Sequence, residues 1–302
     1  MRCTFCKQDS SDSRSVEHIM PESIGGRKRI LPRGVVCDKC NNYFARKVEQ
    51  SILNQPWMRN LRAWHQVPTK KGNIPSLLGH IAGTEIGVNM RRTLDGSVQL
   101  ATEKGSEVPA LDAVMKTGFE TPLIFFVHDE EVPQREMARL LGKMAIEACA
   151  EIFSKDEDSY RIFLNEPFYD NMRNFARYGT GPRIWPFSQR RIYPVETMMP
   201  HPDTNEWVQA GIGCSLFMTR RLETLFAFVF YGMEFVINVG GPSLKGYEEW
   251  VEEHNGISPL VERVGCSLIV TEEEGKPRHY LKGTFELEKG FEFDRAHGAN
   301  LG

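Results

Sequence analysis

The sequence predicts an α+β protein, with a small N-terminal part stapled by a metal ion and a larger C-terminal α+β domain with an antiparallel sheet. Three observations lead to this prediction. Two Cys-x-x-Cys pairs, Cys3/Cys6 and Cys37/Cys40, lie within the first forty residues. Apolar residues recur at helical spacing over 132–153, and aromatic and β-branched residues dominate several short segments over 183–239.

The two cysteine pairs predict one structural zinc ion. In each pair the two-residue gap lets both sulfurs face one ion, and two pairs complete a tetrahedral site of four thiolates. Such a site leaves no coordination position open for catalysis. The predicted ligands are Cys3, Cys6, Cys37 and Cys40. Three further cysteines stand singly in apolar surroundings, as expected of buried thiols: Cys149, Cys214 and Cys266.

Around the cysteine pairs the pattern is strand, loop, strand, helix. Residues 15–19 have the apolar spacing of a short strand, which Pro21 and the glycines at 25–26 end in a loop. We expect a second short strand over 34–37. A helix should follow from Asp38, with Phe44, Val48 and Ile52 as an apolar stripe.

Beyond residue 65 we expect a second domain, so the chain divides into domains 1–65 and 66–302. Predicted strands cover 80–90 and 97–102, turning at Asp95 and Gly96, and 123–127. Predicted helices cover 132–153 and 167–178, the second ended by Gly179. Strands follow over 183–193, 207–219, 222–231 and 233–239, the last three as an antiparallel meander, and a hairpin over 281–293.

Charge is distributed unevenly along the chain. Residues 1–65 contain 12 Lys or Arg against 6 Asp or Glu, a formal +6, whereas the remainder holds 25 against 34, a formal −9. A basic head on an acidic body favours a module that binds a polyanion such as nucleic acid, although a solvated surface can also be basic. We find no P-loop, no GxGxxG after a strand and no Ser-His-Asp pattern.

No run approaches the roughly 18 apolar residues of a membrane span. The first residues also lack the apolar core of a secretory signal. We therefore expect a cytoplasmic protein with no membrane partner.

One stretch resembles a known family. Cys3-x-x-Cys6, Glu17-His18-Ile19-x-Pro21, Gly25-Gly26 and Cys37-x-x-Cys40-Asn41 resemble the HNH endonucleases, in the subgroup whose ββα-metal fold is stapled by zinc knuckles. The resemblance covers roughly residues 3–52. It implies a metal-dependent endonuclease that acts on DNA, in a defence setting such as phage defence or in a mobile element.

The resemblance also assigns roles to residues. His18 would be the general base that activates water, Glu17 a ligand of a catalytic Mg²⁺ or Mn²⁺ ion, and Asn41 the ligand supplied by the helix, in an HNN-like variant. Asn42 is a second candidate for that position. The family pattern has a middle asparagine that holds the catalytic loop, and residues 30–33 read Ile-Leu-Pro-Arg instead.

Elementary chemistry is consistent with these roles. Phosphodiester hydrolysis needs a base for water, for which a neutral imidazole is suited, and a hard cation to stabilise the phosphorane and the leaving oxygen. Adjacent strand residues point to opposite faces, so Glu17 and His18 can approach one phosphate only if the strand distorts. Four basic residues of the hairpin would contact DNA phosphates or simply be solvated: Arg27, Lys28, Arg29 and Arg33.

Two functions remain open on the sequence alone. The first is the DNA endonuclease with structural zinc and a catalytic divalent ion. The alternative is a non-catalytic zinc-stapled module that binds DNA or protein and whose nuclease site has decayed. For residues 66–302 we expect a role in specificity, sensing or dimerisation, either as a homodimer that pairs two heads or as a monomer that binds a regulatory ligand or DNA.

Overall fold

The computed structural model describes residues 1–69, 71–92, 97–102, 104–105, 107–117, 122–125, 132–201, 204–263, 266–273, 276–283 and 291–292. Its helices are α1 (Asp38–Phe44), α2 (Gln50–Leu53), α3 (Pro56–Trp64), α4 (Glu107–Thr117), α5 (Gln134–Phe153), α6 (Glu157–Asn165), α7 (Asp170–Tyr178), α8 (Lys245–Glu253) and α9 (Pro259–Arg263). Its strands are β1 (Glu17–His18), β2 (Ile30–Leu31), β3 (Leu77–Ile81), β4 (Gly87–Arg92), β5 (Val98–Thr102), β6 (Leu123–Phe125), β7 (Phe187–Arg191), β8 (Met198–Pro200), β9 (Trp207–Gln209), β10 (Ile212–Met218), β11 (Thr224–Phe230), β12 (Met233–Asn238), β13 (Cys266–Glu273), β14 (Lys276–Gly283) and β15 (Phe291–Glu292). A π-helical turn, Ala45–Glu49, lies between α1 and α2.

The chain forms two compact units. Unit 1 comprises Met1–Pro21, Gly26–Glu49 and Pro133–Gly302, and unit 2 comprises Glu22–Gly25 and Gln50–Val132. This grouping differs from the division into residues 1–65 and 66–302, which stays a prediction about functional domains. The predicted fold class is confirmed, because helices occur together with sheets in which, among the described strands, every pairing is antiparallel except that of β8 with β14.

The centre of unit 1 is a sheet in the order β15-β10-β11-β12-β7. Strands β10, β11 and β12 form the predicted antiparallel meander. Side chains of β11 are buried on both faces, as happens when a strand is covered on each side. Leu225, Ala227 and Val229 join a core cluster with Tyr247 of α8 and Leu260 of α9, and α5 packs against the sheet as well.

Helices α5, α6 and α7 form a layer in unit 1 that carries the N-terminal residues. The long apolar face predicted for residues 132–153 is confirmed as α5, most of whose residues are buried. The predicted helix over 167–178 is confirmed as a 3₁₀ turn followed by α7, which ends at Gly179. Helix α5 contacts β2 and the π-helical turn, and α7 contacts α1.

The N-terminal elements follow the predicted order with one correction. Strand β1 pairs with β2 in the register Glu17↔Leu31 and His18↔Ile30. The second strand predicted over 34–37 is wrong, because Gly34 has a φ of 87° and Val35 N–H bonds to the Pro32 carbonyl at 3.2 Å in a turn. The apolar character of that segment reflects burial and not strand pairing.

The predicted apolar stripe on the helix that begins at Asp38 is confirmed. Phe44, Val48 and Ile52 are all buried, even though the π-helical turn interrupts the regular α spacing. In unit 1 the Phe44 ring packs against Phe5, whose ring centroid lies 4.4 Å away. This contact joins the helix to the first cysteine pair.

Unit 2 contains a sheet in the order β5-β4-β3-β6, beside which α3 packs. The side chain of Asn60 on α3 bonds to both the N–H and the carbonyl of Leu78, at 2.6 and 2.7 Å. A small apolar cluster of Ile81, Val88 and Ala110 lies between the sheet and α4.

Several predicted strands are shorter or divided in the structure. The segment 80–90 belongs to two antiparallel strands, β3 and β4, which a turn over 82–86 connects. The segment 207–219 is likewise divided into β9 and β10, and 183–193 shortens to β7. The turn at Asp95 and Gly96, residues 126–127 of the strand over 123–127, and residues 284–290 of the hairpin over 281–293 lie outside the described residues. The hairpin itself is wrong for its described ends, because β14 pairs with β13 whereas β15 pairs with β10 in another sheet.

Helices α5 and α7 pack closely at Gly142, and a larger side chain at this position should destabilise the protein. A Cβ atom at Gly142 would lie 2.5 Å from Met172 Sδ and 3.6 Å from Ala176 Cβ. We expect Gly142→Val to lower the free energy of unfolding by about 1–3 kcal/mol through overpacking. Urea denaturation followed by circular dichroism measures it. The control is Gly241→Val, because a Cβ at Gly241 meets nothing within 4 Å. Equal stability of the two variants would contradict the packing argument.

Candidate functional site

The four predicted zinc ligands converge in unit 1. The Sγ atoms of Cys3, Cys6, Cys37 and Cys40 all lie within 4.8 Å of one another, and Cys6 Sγ is 3.7 Å from Cys37 Sγ. A tetrahedral zinc ion with Zn–S bonds of about 2.3 Å places neighbouring sulfurs roughly 3.8 Å apart. The four cysteines therefore fit a metal such as zinc. Among the described residues, they form the one such group of three or more His, Cys, Asp or Glu side chains.

Local backbone geometry presents these sulfurs to one point. Cys37 is the N-cap of α1 with an extended backbone, and its Sγ accepts from the Cys40 N–H at 3.4 Å. The Cys37 N–H in turn donates to Cys3 Sγ at 3.4 Å. Lys7 directly follows the first cysteine pair and has a positive φ of 58°. Its N–H bonds to the Cys3 carbonyl, which completes a tight turn around this pair. Each N–H directed at a sulfur stabilises the thiolate form that a metal needs.

The thiols differ in how readily they ionise. A side-chain hydrogen bond with Cys40 lowers the pKa of Cys3 to about 5, and the same bond raises the pKa of Cys40 above its ordinary value. Burial raises the pKa of Cys6 to about 11. Because coordination requires thiolates, metal binding must release the protons that Cys6 and Cys40 hold. Metal affinity should therefore fall as the pH falls.

Arg177 of α7 contacts the cysteine cluster from a distant part of the chain. Its Nε donates to Cys40 Sγ at 3.2 Å, and its guanidinium carbon lies 3.8 Å from the centroid of the Tyr43 ring. Arg139 of α5 donates to the Tyr43 hydroxyl at 2.6 Å. Four thiolates around a divalent ion carry a net charge of −2, which a neighbouring guanidinium offsets. The sequence has no signal for this role, because Arg177 lies 137 residues after Cys40.

His18 is half-buried at the end of β1, and its ring orientation is set by one hydrogen bond. His18 Nδ1 lies 2.9 Å from the carbonyl oxygen of Gly26. Since a carbonyl only accepts, Nδ1 is the donor in this contact, and the neutral tautomer that fits it has Nε2 as its acceptor nitrogen. Gly26 has to be glycine at this position, because a Cβ would lie 2.1 Å from the Met20 carbonyl oxygen. The arrangement prepares Nε2 to accept a proton.

Glu17 is turned to the protein interior. Its Oε1 lies 2.6 Å from Nζ of Lys143 on α5, and both side chains are buried. Glu49 and Glu147 also approach Nζ, each at 3.0 Å. Strand β1 alternates as a regular strand does, with Glu17 buried and His18 partly exposed. The structure therefore does not show the distortion that would bring both side chains to one phosphate.

The four buried ionisable groups perturb one another strongly. Burial raises the pKa of Glu147 well above its usual range, with Lys143 opposing the shift. Burial lowers the pKa of Lys143, but the carboxylates of Glu147, Glu17 and Glu49 outweigh this effect and hold the lysine pKa well above its ordinary value. Lys143 is therefore a buried ammonium at neutral pH. Nothing in the local sequence predicts this burial, because lysine side chains are almost never fully buried.

Asn41 lies on α1 next to Cys40 and faces the β1 hairpin. Its Nδ2 donates to the Val16 carbonyl at 3.1 Å, which leaves its Oδ1 as the available acceptor. Asn42, the second candidate, is exposed. Asp38, one turn earlier, accepts from the Ser15 N–H at 2.8 Å, and hydrogen bonds from Ser15 hold the pKa of Asp38 below its ordinary value. Helix α1 is thereby bonded to Ser15 and to Val16, the two residues that precede β1.

The predicted DNA-contacting residues fall into two groups. Arg27, Lys28 and Arg33 are exposed. Arg29 instead forms an ion pair with Glu151 of α5 and donates to Cys214 Sγ at 2.8 Å. Its guanidinium is committed to contacts within unit 1, which favours a structural role for Arg29.

Residues 3–56 match a family model described as HNH endonuclease. This confirms the HNH resemblance over the N-terminal stretch, hereafter the HNH region. An HNH endonuclease domain indicates nuclease activity with nucleic acid as the substrate. We found no match among curated proteins and none among solved structures. Within the described ranges, no helix has the length and apolar character needed to cross a membrane.

The cysteine cluster generates a prediction about metal content. Protein purified without chelator should contain about one zinc ion per chain, as elemental analysis would measure. Arg177→Gln should weaken zinc retention by about 10–100-fold, because outer partners of metal ligands typically contribute that much. Competition with a chromogenic chelator at several pH values measures the affinity, which should also fall as the pH falls. Arg161→Gln, on the exposed side of α6, is the control. Equal retention by both variants would refute the role of Arg177.

Proposed function

We propose that this protein is an HNH endonuclease that hydrolyses phosphodiester bonds in DNA with the help of a divalent ion. The observation that carries the proposal is the environment of His18. Its Nδ1 is held by the Gly26 carbonyl, so Nε2 can take a proton from a water molecule that attacks phosphorus. The match of residues 3–56 to HNH endonucleases supports the same chemistry.

The proposed catalytic ion is Mg²⁺ or Mn²⁺, separate from the cysteine cluster. Asn41 Oδ1 and Glu17 are its proposed ligands, and hard oxygen donors of this kind suit either ion. Of the two, Asn41 is the better placed, since one Glu17 oxygen lies against Lys143. When bound, the ion would stabilise charge on the phosphate and on the leaving oxygen. The exposed Arg27, Lys28 and Arg33 would position the DNA backbone.

A plasmid assay tests the proposal. Purified protein should nick or cut plasmid when Mg²⁺ or Mn²⁺ is added and should stop after dialysis, while zinc stays bound. His18→Ala should lower the rate by about 10²–10⁴-fold, the usual contribution of a general base. His279→Ala is the matched control, because His279 lies on β14 with no role in the site. Circular dichroism and zinc content check that His18→Ala is folded. Cutting by folded His18→Ala at the wild-type rate would refute the role of His18.

A second function is favoured by one observation. The Glu17 carboxylate lies inside against Lys143, as it would in a decayed site that binds DNA without cutting it. The same assay separates the two functions, because a non-catalytic module would retard plasmid in a gel and leave it uncut with either ion. Activity of Glu17→Ala and Asn41→Ala at wild-type rates would show that the proposed ligands are wrong.

We also propose that residues 66–302 determine where and when cutting occurs, by forming a homodimer that brings together two N-terminal nuclease domains (residues 1–65). One HNH active site cuts one strand, and a two-fold dimer supplies a second site of opposite polarity. Static light scattering on the full chain should give about twice the monomer mass of 34.5 kDa. A monomer by this measurement that still makes double-strand breaks would contradict the pairing.

A further inference from the structure

The most unusual side chain of unit 1 is the lysine in the middle of α5. Lys143 is fully buried, and its Nζ makes a hydrogen bond of 3.1 Å to the backbone carbonyl of His18. The three carboxylates of Glu17, Glu49 and Glu147 surround the same ammonium at 2.6 to 3.0 Å. Two of them come from the N-terminal residues and one from α5 itself.

Filling the core does not explain this residue. Its neighbours on α5, such as Leu140, Leu141 and Met144, are apolar and equally buried, so a leucine or methionine would fill the space without the cost of desolvating a charge. Burial of an ammonium is tolerated here because carboxylates lie around it. The arrangement therefore suggests that the donor capacity of the lysine has a use.

That use follows from where the donors point. An ammonium has three N–H bonds and no acceptor, and one of the partners here is the main chain of the residue whose ring is the proposed base. His18 is thus fixed at two points, its ring through the Gly26 carbonyl and its backbone through Lys143. The ion pairs with Glu17 on β1 and Glu49 on the π-helical turn tie the elements on either side of α1 to α5.

We propose that Lys143 is a positioning residue for catalysis, which holds the backbone of His18 so that Nε2 meets the attacking water. This inference rests on the proposed nuclease function. Lys143 does not touch the substrate, because it is completely buried. Its loss should therefore lower kcat and leave KM for DNA nearly unchanged. A displacement of about 1 Å in such a group can cost roughly 10²-fold in rate.

The experiment must separate positioning from simple instability. Lys143→Met leaves three carboxylates together without a cation and so is expected to unfold readily. The double variant Lys143→Met/Glu147→Gln also replaces the Glu147 carboxyl by a neutral amide of similar size, and its reference is Glu147→Gln alone. We expect the double variant to fold with full zinc content but to show kcat lowered by about 10²-fold against that reference. Lys155→Met, on the exposed loop after α5, controls for the loss of one positive charge.

A second readout does not require activity. In hydrogen exchange, the peptide covering residues 15–31 should lose protection in the double variant, because Ile19 N–H bonds to the Arg29 carbonyl beside the anchored carbonyl of His18. Peptides of β11 and β12 should keep theirs. A kcat within twofold of the reference, or unchanged protection of residues 15–31, would overturn the positioning role.

The two proposals fail in different ways. If the wild-type protein does not cut DNA, the nuclease proposal fails. Increased exchange over residues 15–31 would then still show that Lys143 anchors β1, but its part in catalysis would be refuted. If the wild type cuts and the double variant cuts equally well, the nuclease proposal stands and the role of Lys143 is wrong.

Discussion

The N-terminal elements of unit 1 depend on bonds that apolar packing cannot replace. Two strands of two residues each and a seven-residue helix bury little apolar surface, and a segment of this size is marginal without a metal or another staple. Four converging cysteines fit a metal ion and are placed to provide one such staple when the metal is bound. The α5 to α7 layer provides the other, through Arg177 at Cys40 and the Tyr160 hydroxyl, which donates to the Arg2 carbonyl at 2.8 Å.

The contact made by the buried lysine can be compared with the asparagine of the family pattern that residues 30–33 lack. The resemblance assigns a middle asparagine to hold the catalytic loop, and this chain has none there. The structure places a different donor, Lys143, on the carbonyl of His18. An asparagine would act from within the same hairpin, whereas the lysine acts from α5. Ordering of the proposed active site is consequently coupled to the folding of the helical layer.

The sequence allowed prediction of features that depend on nearby residues. The convergence of the cysteines, the first strand of the His18 hairpin, α5 and the β10 to β12 meander were all predicted from short patterns, whereas the second strand of that hairpin was placed at 34–37 and lies at Ile30–Leu31. Helix α6 was missed although Asp156 is a usable signal, since it caps the helix by accepting from the Ser159 N–H. The contacts of Lys143 with His18, of Arg177 with Cys40 and of Arg29 with Glu151 could not be predicted, because each joins residues more than a hundred positions apart along the chain.

These long separations matter while the polypeptide is being synthesised. All four cysteines of the cluster have been synthesised once Cys40 is in place, so the residues that fit a metal ion are available early. The donors to the His18 carbonyl and to Cys40 Sγ follow 125 and 137 residues later, respectively. A ribosome-bound chain that has not yet reached Lys143 therefore contains all four cysteines but lacks the donor to the carbonyl of its proposed base. The contacts to His18 and to the cysteine cluster are complete only after both α5 and α7 have been translated.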